Sequence, residues 1–452
     1  MDEGQRALRP DSALQSAISR RKVLLGGLAA LGGLAAAGTL AGCAPAATAS
    51  TGGRTDLTFW SLLSGGDGIK MSALIDQAVA QSDTFGVSQT VLAWGPPYYT
   101  KLSMASVGGR GPDVAVMHAT RLPGYAPGGL LDPWDEEMLA EFGMDRSNFL
   151  DRVWEKGTVD GKVYSIALDT HPFIMMYNTD IAEQAGVLGP DGQLEEITSP
   201  DQFLEVARAM QAVTGEHGLS YGYLGDGAQM WRLFYTLFKQ QGGEMDLSGT
   251  QAVVDTDAAV TSLEYMQQLL DGTVATASGD YATALSEFIS GKSGLFFTGV
   301  WELPTAINAG IPFNAMPIPT LFGTPAAYAD SHAFVLPHQL ALDEAKRRAS
   351  YEFVSAILKG SLSWAEAGHI PAYQPVVQSE GYQELEPQRN YASAAEILNY
   401  DPPAWFTGSG SDFQNYFRDG VQNVLLAGDD AARGFGAFID RINQLMAKPN
   451  PV

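Results

Sequence analysis

Six histidines, at positions 118, 171, 217, 332, 338 and 369, are the side chains of this sequence best suited to hold a metal or move a proton near neutral pH. No two stand at i and i+4 and no H-E-x-x-H occurs, so no local zinc site is expected. No G-x-S-x-G elbow presents a serine nucleophile. Gly291-Lys292-Ser293 resembles the end of a phosphate loop, but Ser286 stands where the first glycine belongs and a strand, not a helix, follows; it reads as a turn. Gly66-Asp67-Gly68 lacks the third glycine of a dinucleotide fingerprint. One cysteine, Cys43, excludes an internal disulfide and a cysteine-based zinc site. With 51 Asp and Glu in the chain, a pair of carboxylates is no glycosidase signal by itself. The expectation is a protein that is not an enzyme, with no catalytic residues, no metal and no cofactor.

Another chemistry remains. Sugars are recognised by flat aromatic faces and by charged or amide groups that bond the hydroxyls in the ring plane. Residues of these types fall at strand ends: Trp60, Ser64 and Asp67 after the first strand, Trp94 and Tyr98 after the second, His118 and Arg121 after the third. Asp169 and His171 occupy a polar break between two strands. Trp301 and Glu302 follow an apolar strand, and Asp330, Ser331 and His332 precede the next. Trp231 joins the set from the run Trp231-Arg232-Leu233-Phe234-Tyr235. Ligands of open α/β sheets collect beyond the carboxyl ends of strands, so this placement points to a ligand-binding cleft. Each residue has a plainer reading. Trp60 and Trp231 suit a core, Arg121 can pair with a surface carboxylate, and His118 and His332 can be interior histidines. Trp364, Tyr373 and Trp405 can form a rim or only pack.

These residues need elements to position them. Asp56–Trp60, Ser88–Trp94 and Pro112–Met117 read as strands, with a helix after the Ser/Gly-rich 64–68 to about 79 and another over 99–107. That alternation implies βαβ units and a mainly parallel sheet. Gly161–Leu168 and Phe173–Tyr177 read as two strands separated by Asp169-Thr170-His171-Pro172. Ser199, Pro200 and Gln202 form the N-cap, first-turn proline and capping-box position of a helix. Helices are also expected over 255–270, 281–289 and 344–358, and buried strands over 294–298 and 332–336.

The chain of 452 residues is too long for one ordinary core and implies at least two lobes. Lys and Arg number 27 against 51 acids, a net charge of −24 that excludes a nucleic-acid partner. Arg20-Arg21-Lys22 precedes the uncharged run 23–42, which ends in Leu40-Ala41-Gly42-Cys43. This pattern reads as an export signal peptide. Its end resembles the bacterial lipobox, in which cleavage precedes the cysteine and the thiol takes a lipid. Its start resembles a twin-arginine signal with Val23 and Leu25 off the usual pattern, so the twin-arginine and Sec routes both stay open. Cleavage leaves 22 basic and 48 acidic residues. So acidic a surface would not adhere to anionic headgroups, and the lipid on Cys43 would supply the membrane anchor. Residues 43–55 read as a flexible tether.

Several stretches together resemble the sugar-type extracellular solute-binding proteins of bacterial ABC transporters, family 1. They are Leu57 to Gly68, Tyr98 to Val114, Asp160 to Asp180, Trp231 to Gly243, Phe288 to Glu302, Asp330 to Pro337 and Trp364 to Pro371. The resemblance implies an α/β, two-lobed periplasmic-binding-protein fold (type II, maltose-binding-protein-like) with a hinge and an interlobe cleft. It implies crossings near 168–172, 327–332 and 368–376. The parts would be signal peptide 1–42, tether 43–55, first lobe 56–168 and 329–370, and second lobe 169–328 and 371–452. It implies a monomeric, lipid-anchored receptor on the extracellular face of the cell membrane. That receptor binds a mono- to oligosaccharide and presents it to the permease subunits of the transporter. Two other readings stay open: a secreted glycoside hydrolase using a pair from Asp67, Asp169, Glu302 and Asp330, and a same-fold binder of a polyamine, peptide or glycerophosphodiester. An anionic ligand is the less expected, because Arg121 and the histidines are its only evident counter-charges.

Overall fold

The computed structural model describes residues 53–451. The expected signal peptide 1–42, Cys43 and most of the expected tether lie outside the described residues. Among the described residues no helix is long and apolar enough to cross a membrane.

Two mixed sheets carry the fold. In the first, Thr55–Ser61 lies parallel to Phe85–Val91 and to Val114–His118. The period of two turns Leu57 and Phe59 into the core, where Phe59 meets Phe353 of the helix Glu344–Lys359 edge-on at 5.4 Å. His332–Pro337 joins antiparallel and carries Ser165–Ala167 and Leu131–Asp132 beside it. The second sheet is centred on Asp169–Asn178, whose ten residues are all buried. Ser293–Gly299, Phe313–Pro317, Ala327–Asp330 and Ile370–Pro371 all pair antiparallel to it.

The expected parallel pairing therefore holds for three strands of the first sheet and for little of the second. The reason lies at the junction. One strand leaves the first sheet at Ala167 and continues as Asp169–Asn178, and the chain returns straight through Asp330 into His332. The two passages run in opposite directions side by side, so they pair antiparallel on both sheets. The polar stretch 169–172 is accordingly no break but the start of a continuous strand, with Pro172 opposite Ala329. The second strand sits three residues earlier than expected, because Pro96 and Pro97 open the helix Pro96–Val107 and do not merely end a strand.

Helix starts follow the sequence closely. Ser199 Oγ accepts from Gln202 N at 3.2 Å, while the Gln202 amide oxygen reaches back to Thr198 N and not to Ser199. Asp255 and Asp280 cap the helices Thr256–Leu269 and Tyr281–Ile289 in the same way. The C-terminal pair Asp412–Ala427 and Ala431–Met446 packs on Gly227–Gln240. Trp231 is fully buried there among Phe413, Phe417 and Phe438.

Candidate functional site

The junction of the sheets gathers the titratable groups. Asp169 and His171 are two residues apart on one strand and share a face. Antiparallel register sets His332 opposite His118, and Asp330 opposite His171. His369 arrives just before Ile370–Pro371. Gly368, at φ +99°, makes that approach possible, because a Cβ there would lie 2.1 Å from the Val300 carbonyl oxygen.

Asp169, 0 % exposed, is the hub. Its Oδ1 accepts from His171 Nδ1 at 3.0 Å and from the His332 backbone N–H at 2.9 Å. Its Oδ2 accepts from His332 Nδ1 at 2.9 Å and from Trp364 Nε1 at 2.7 Å, and His369 Nδ1 stands 3.2 Å away. Burial works to raise the Asp169 pKa, but His332, His369 and the His171 hydrogen bond outweigh it and hold the carboxyl well below its usual range. Burial would likewise lower His369, yet Asp67, 3.0 Å from its Nε2, and Asp169 push it up to about 10. His171 is lowered to about 4 by burial and by His332. Burial, His332 and His171 also hold His118 well below its usual value. The cluster thus pairs one cationic imidazole, His369, with neutral imidazoles at His171 and His118.

Asp169, His171, His332 and His369 place ligand atoms within 4.8 Å of one another, a donor set that suits a metal by type. A carboxylate offers about four lone-pair sites, and the donors above already fill them. The arrangement acts as a hub that fixes imidazole orientation.

Above the hub lies a cleft of about 490 Å³. Residues from both halves of the chain line it. Ser64 and Asp67 stand at the start of the helix Gly65–Gln81, with Trp94, His118, His171, Trp301, Glu302 and His332 around them. A second hollow of about 460 Å³ shares Trp94, Asp226, Ala228 and Tyr281 with it, so the cleft extends sideways. Trp301 is fixed by its own strand end. Its ring lies against Gly299, where a Cβ would come within 2.0 Å of it, and its Nε1 donates to Tyr281 Oη at 2.8 Å. Tyr281 in turn donates to Glu302. Burial pushes the Glu302 pKa up, against that hydrogen bond.

Of the residues singled out from sequence, Ser64, Asp67, Trp94, His118, His171, Trp301, Glu302 and His332 come together on the cleft, and Asp169 lies beneath them. The others do not. Trp60 lines a separate groove with Pro96 and Pro97, under Lys101 at 5.1 Å. Tyr98 is fully buried and donates to the Val116 carbonyl at 2.5 Å. Arg121 stacks on Tyr99 at 4.4 Å and donates to the Thr407 carbonyl. Trp231 donates to Asp401 Oδ1 at 2.5 Å inside the second core. Asp330 accepts from the N–H of Thr120 and of Ser331, and Ser331 Oγ meets Tyr400 Oη at 2.9 Å; both clasp the crossing. Trp364 stacks on His369 at 4.5 Å, below the cleft. Of the four carboxylates of the hydrolase reading, Asp169 and Asp330 are buried and saturated, while Asp67 and Glu302 each already bond a protein donor.

Sequence reasoning missed Arg232, Gln229, Asp226 and Tyr281 on the cleft wall. Arg232 stood in view beside Trp231. A helical turn of about 100° per residue separates the two, so a buried Trp231 turns its neighbour outward.

The family described as bacterial extracellular solute-binding protein matches residues 86–386. The arabinooligosaccharide-binding protein of Bacillus subtilis (strain 168) is 26 % identical over 248 residues, 53 % of this chain and 53 % of that protein. The maltodextrin-binding protein MdxE of the same organism is 26 % identical over 220 residues, 47 % of this chain and 49 % of that one. The chain thus spans about half the length of the curated relatives it matches. A solved structure, the cyclic alpha-maltosyl-1,6-maltose binding protein from Arthrobacter globiformis, superposes with a TM-score of 0.70 at 20 % identity, covering 87 % of this chain and 100 % of that one. The fold is the two-lobed, maltose-binding-protein-like one, and with a match over most of its length the chain belongs to the bacterial extracellular solute-binding protein family.

Proposed function

We propose that this protein is the carbohydrate receptor of an ABC importer: it binds a mono- to oligosaccharide between its lobes, performs no catalysis, and hands the ligand to permease subunits. The observation that carries this reading is the cleft itself. Groups from both halves converge on it, and it mixes aromatic faces (Trp94, Trp301) with polar atoms held in fixed orientation by the Asp169 hub. Its volume suits a small ligand, for which sites of about 300–1,000 Å³ are usual, and the shared hollow leaves room for a longer one. Relatives described as binding arabinooligosaccharide and maltodextrin support the ligand class. The lobes close on the ligand by hinge bending at the two straight passages, 167–169 and 330–332, and at the third crossing near 368–376. The lipobox-like Leu40-Ala41-Gly42-Cys43 supports attachment of the monomer to the outer face of the cell membrane through a lipid on Cys43.

A thermal-shift screen of the full chain against saccharides tests the reading. A ligand at a hundredfold excess over Kd adds about 2.7 kcal/mol to stability. Trp301→Ala is expected to keep the fold and lose the shift. Release of shortened sugars by the purified protein would contradict the reading.

A further inference from the structure

The cleft is unevenly satisfied. Its acids are engaged: Asp67 with His369 at 3.0 Å, Asp226 with the Gln229 backbone N–H at 3.0 Å, Glu302 with Tyr281. Its one arginine is not. Arg232 makes no side-chain hydrogen bond and no ion pair within 4.0 Å among the described residues, and its Nε is buried without a partner. Its guanidinium lies 4.6 Å from the Trp301 ring and 6.0 Å from that of Tyr328. Stacking of this kind attracts the cation to the ring faces, but it leaves five N–H donors unmet. An arginine left so in a cleft that shuts on its ligand is a strong pointer to an anion, because an unpaired charge removed from water is costly.

The neighbouring imidazoles sort themselves by tautomer. His171 and His332 direct Nδ1 at the Asp169 carboxylate, so Nδ1 carries the proton and Nε2 is an acceptor on the cleft side. His118 is the reverse. Tyr99 Oη accepts the His118 backbone N–H at 3.1 Å and gives its own proton to Nδ1 at 2.7 Å, which leaves an N–H on Nε2. Arg232 lies near enough for its charge to help keep His118 neutral. The cleft therefore offers donors at Arg232 and His118 and acceptors at His171 and His332.

We infer that the ligand is a polyhydroxyl compound bearing a single negative charge, a carboxylate or a phosphodiester, with the anion on Arg232 and His118 and its hydroxyls on His171 and His332. The inference rests on the carbohydrate-receptor reading and narrows it. One guanidinium matches one charge; a phosphomonoester dianion would leave a charge uncompensated in the closed cleft. The overall acidity of the chain does not oppose this, because charges beyond about 8 Å are screened at physiological salt.

Calorimetric titration of the full chain tests it with matched pairs: glucuronosyl-xylose against its methyl ester, and glycerophosphoinositol against inositol, with glucose 6-phosphate as the dianion. The expected result is at least tenfold tighter binding of an acidic member than of its neutral partner. That preference should vanish in Arg232→Gln, persist in part in Arg232→Lys, and be absent for glucose 6-phosphate. Which pair responds identifies the carboxylate or the phosphodiester. Unchanged melting of Arg232→Gln excludes misfolding as the cause. Equal binding within each pair, a preference that survives Arg232→Gln, or binding of neutral saccharides alone overturns the inference and leaves the carbohydrate reading standing. No heat from these compounds or from any saccharide of the thermal-shift screen overturns both.

Discussion

Replacing Asp169 by Asn isolates the hub, because the two side chains have nearly the same shape. The carboxylate takes four hydrogen bonds on two oxygens, at 2.7–3.0 Å, and faces His369 at 3.2 Å. The amide keeps one accepting oxygen and turns an NH₂ toward at least two of those donors. Hydrogen bonds to a charged group contribute about 1.5–3 kcal/mol each, and breaking a buried charge pair costs about 3–5 kcal/mol. The expected loss is about 3–5 kcal/mol near pH 6, read by urea unfolding. The pH dependence is the sharper part. His369 is held up to about 10, so its contribution is full below its unfolded value of about 6.5 and is lost as pH rises through 10. Asp169 is held low, so its own contribution is present above about 4 and lost as pH falls through its depressed value. The gap between the two proteins is therefore widest from about pH 4 to 6.5 and narrows toward pH 10. A gap under 1 kcal/mol at pH 6, or one that stays flat from pH 6 to 10, would refute the hub.

Gly299→Ala should displace the Trp301 ring, since the added carbon meets it at 2.0 Å; a melt near that of the parent with at least tenfold weaker ligand binding is expected, and unchanged affinity counts against Trp301 as a cleft wall. Asp401, 2 % exposed, has its pKa pushed up to about 7 by burial and by Asp330. A carboxyl raised in the folded state destabilises as pH climbs from about 4 through 7. Asp401→Asn should therefore stabilise the protein by about 2–4 kcal/mol at pH 8 and by almost nothing at pH 4, in parallel thermal melts. His171, lowered to about 4, contributes stability that is full above about pH 6.5 and fades as pH falls toward 4; His171→Gln should flatten the acid limb of the stability curve, and an unaltered limb would speak against a neutral imidazole there.

Much of the fold was legible because local signals were strong. Ser199 announced its helix as a cap, and 294–298 read as a buried strand from its composition alone, within the observed Ser293–Gly299. Sheet direction was not legible, since whether Asp169–Asn178 pairs parallel or antiparallel depends on how the chain passes between lobes. The site divided along the same line. Strand-end polar residues such as His118, His171 and His332 were found because position along a strand is a local property. Tyr98, Trp231 and Asp330 lie off the cleft because nothing local tells whether such a side chain turns inward or outward; their partners, Val116, Asp401 and Thr120, lie 18 to 210 residues away. Arg232 was missed because nothing local separates a guanidinium without a partner from one with a partner.

Titration calorimetry with a saccharide that raises the melting temperature tests the central claim most directly. A protein that only binds gives one binding event per chain and a flat trace after saturation. Heat that continues at a steady rate once the site is full would mean turnover, and would contradict a receptor that only binds.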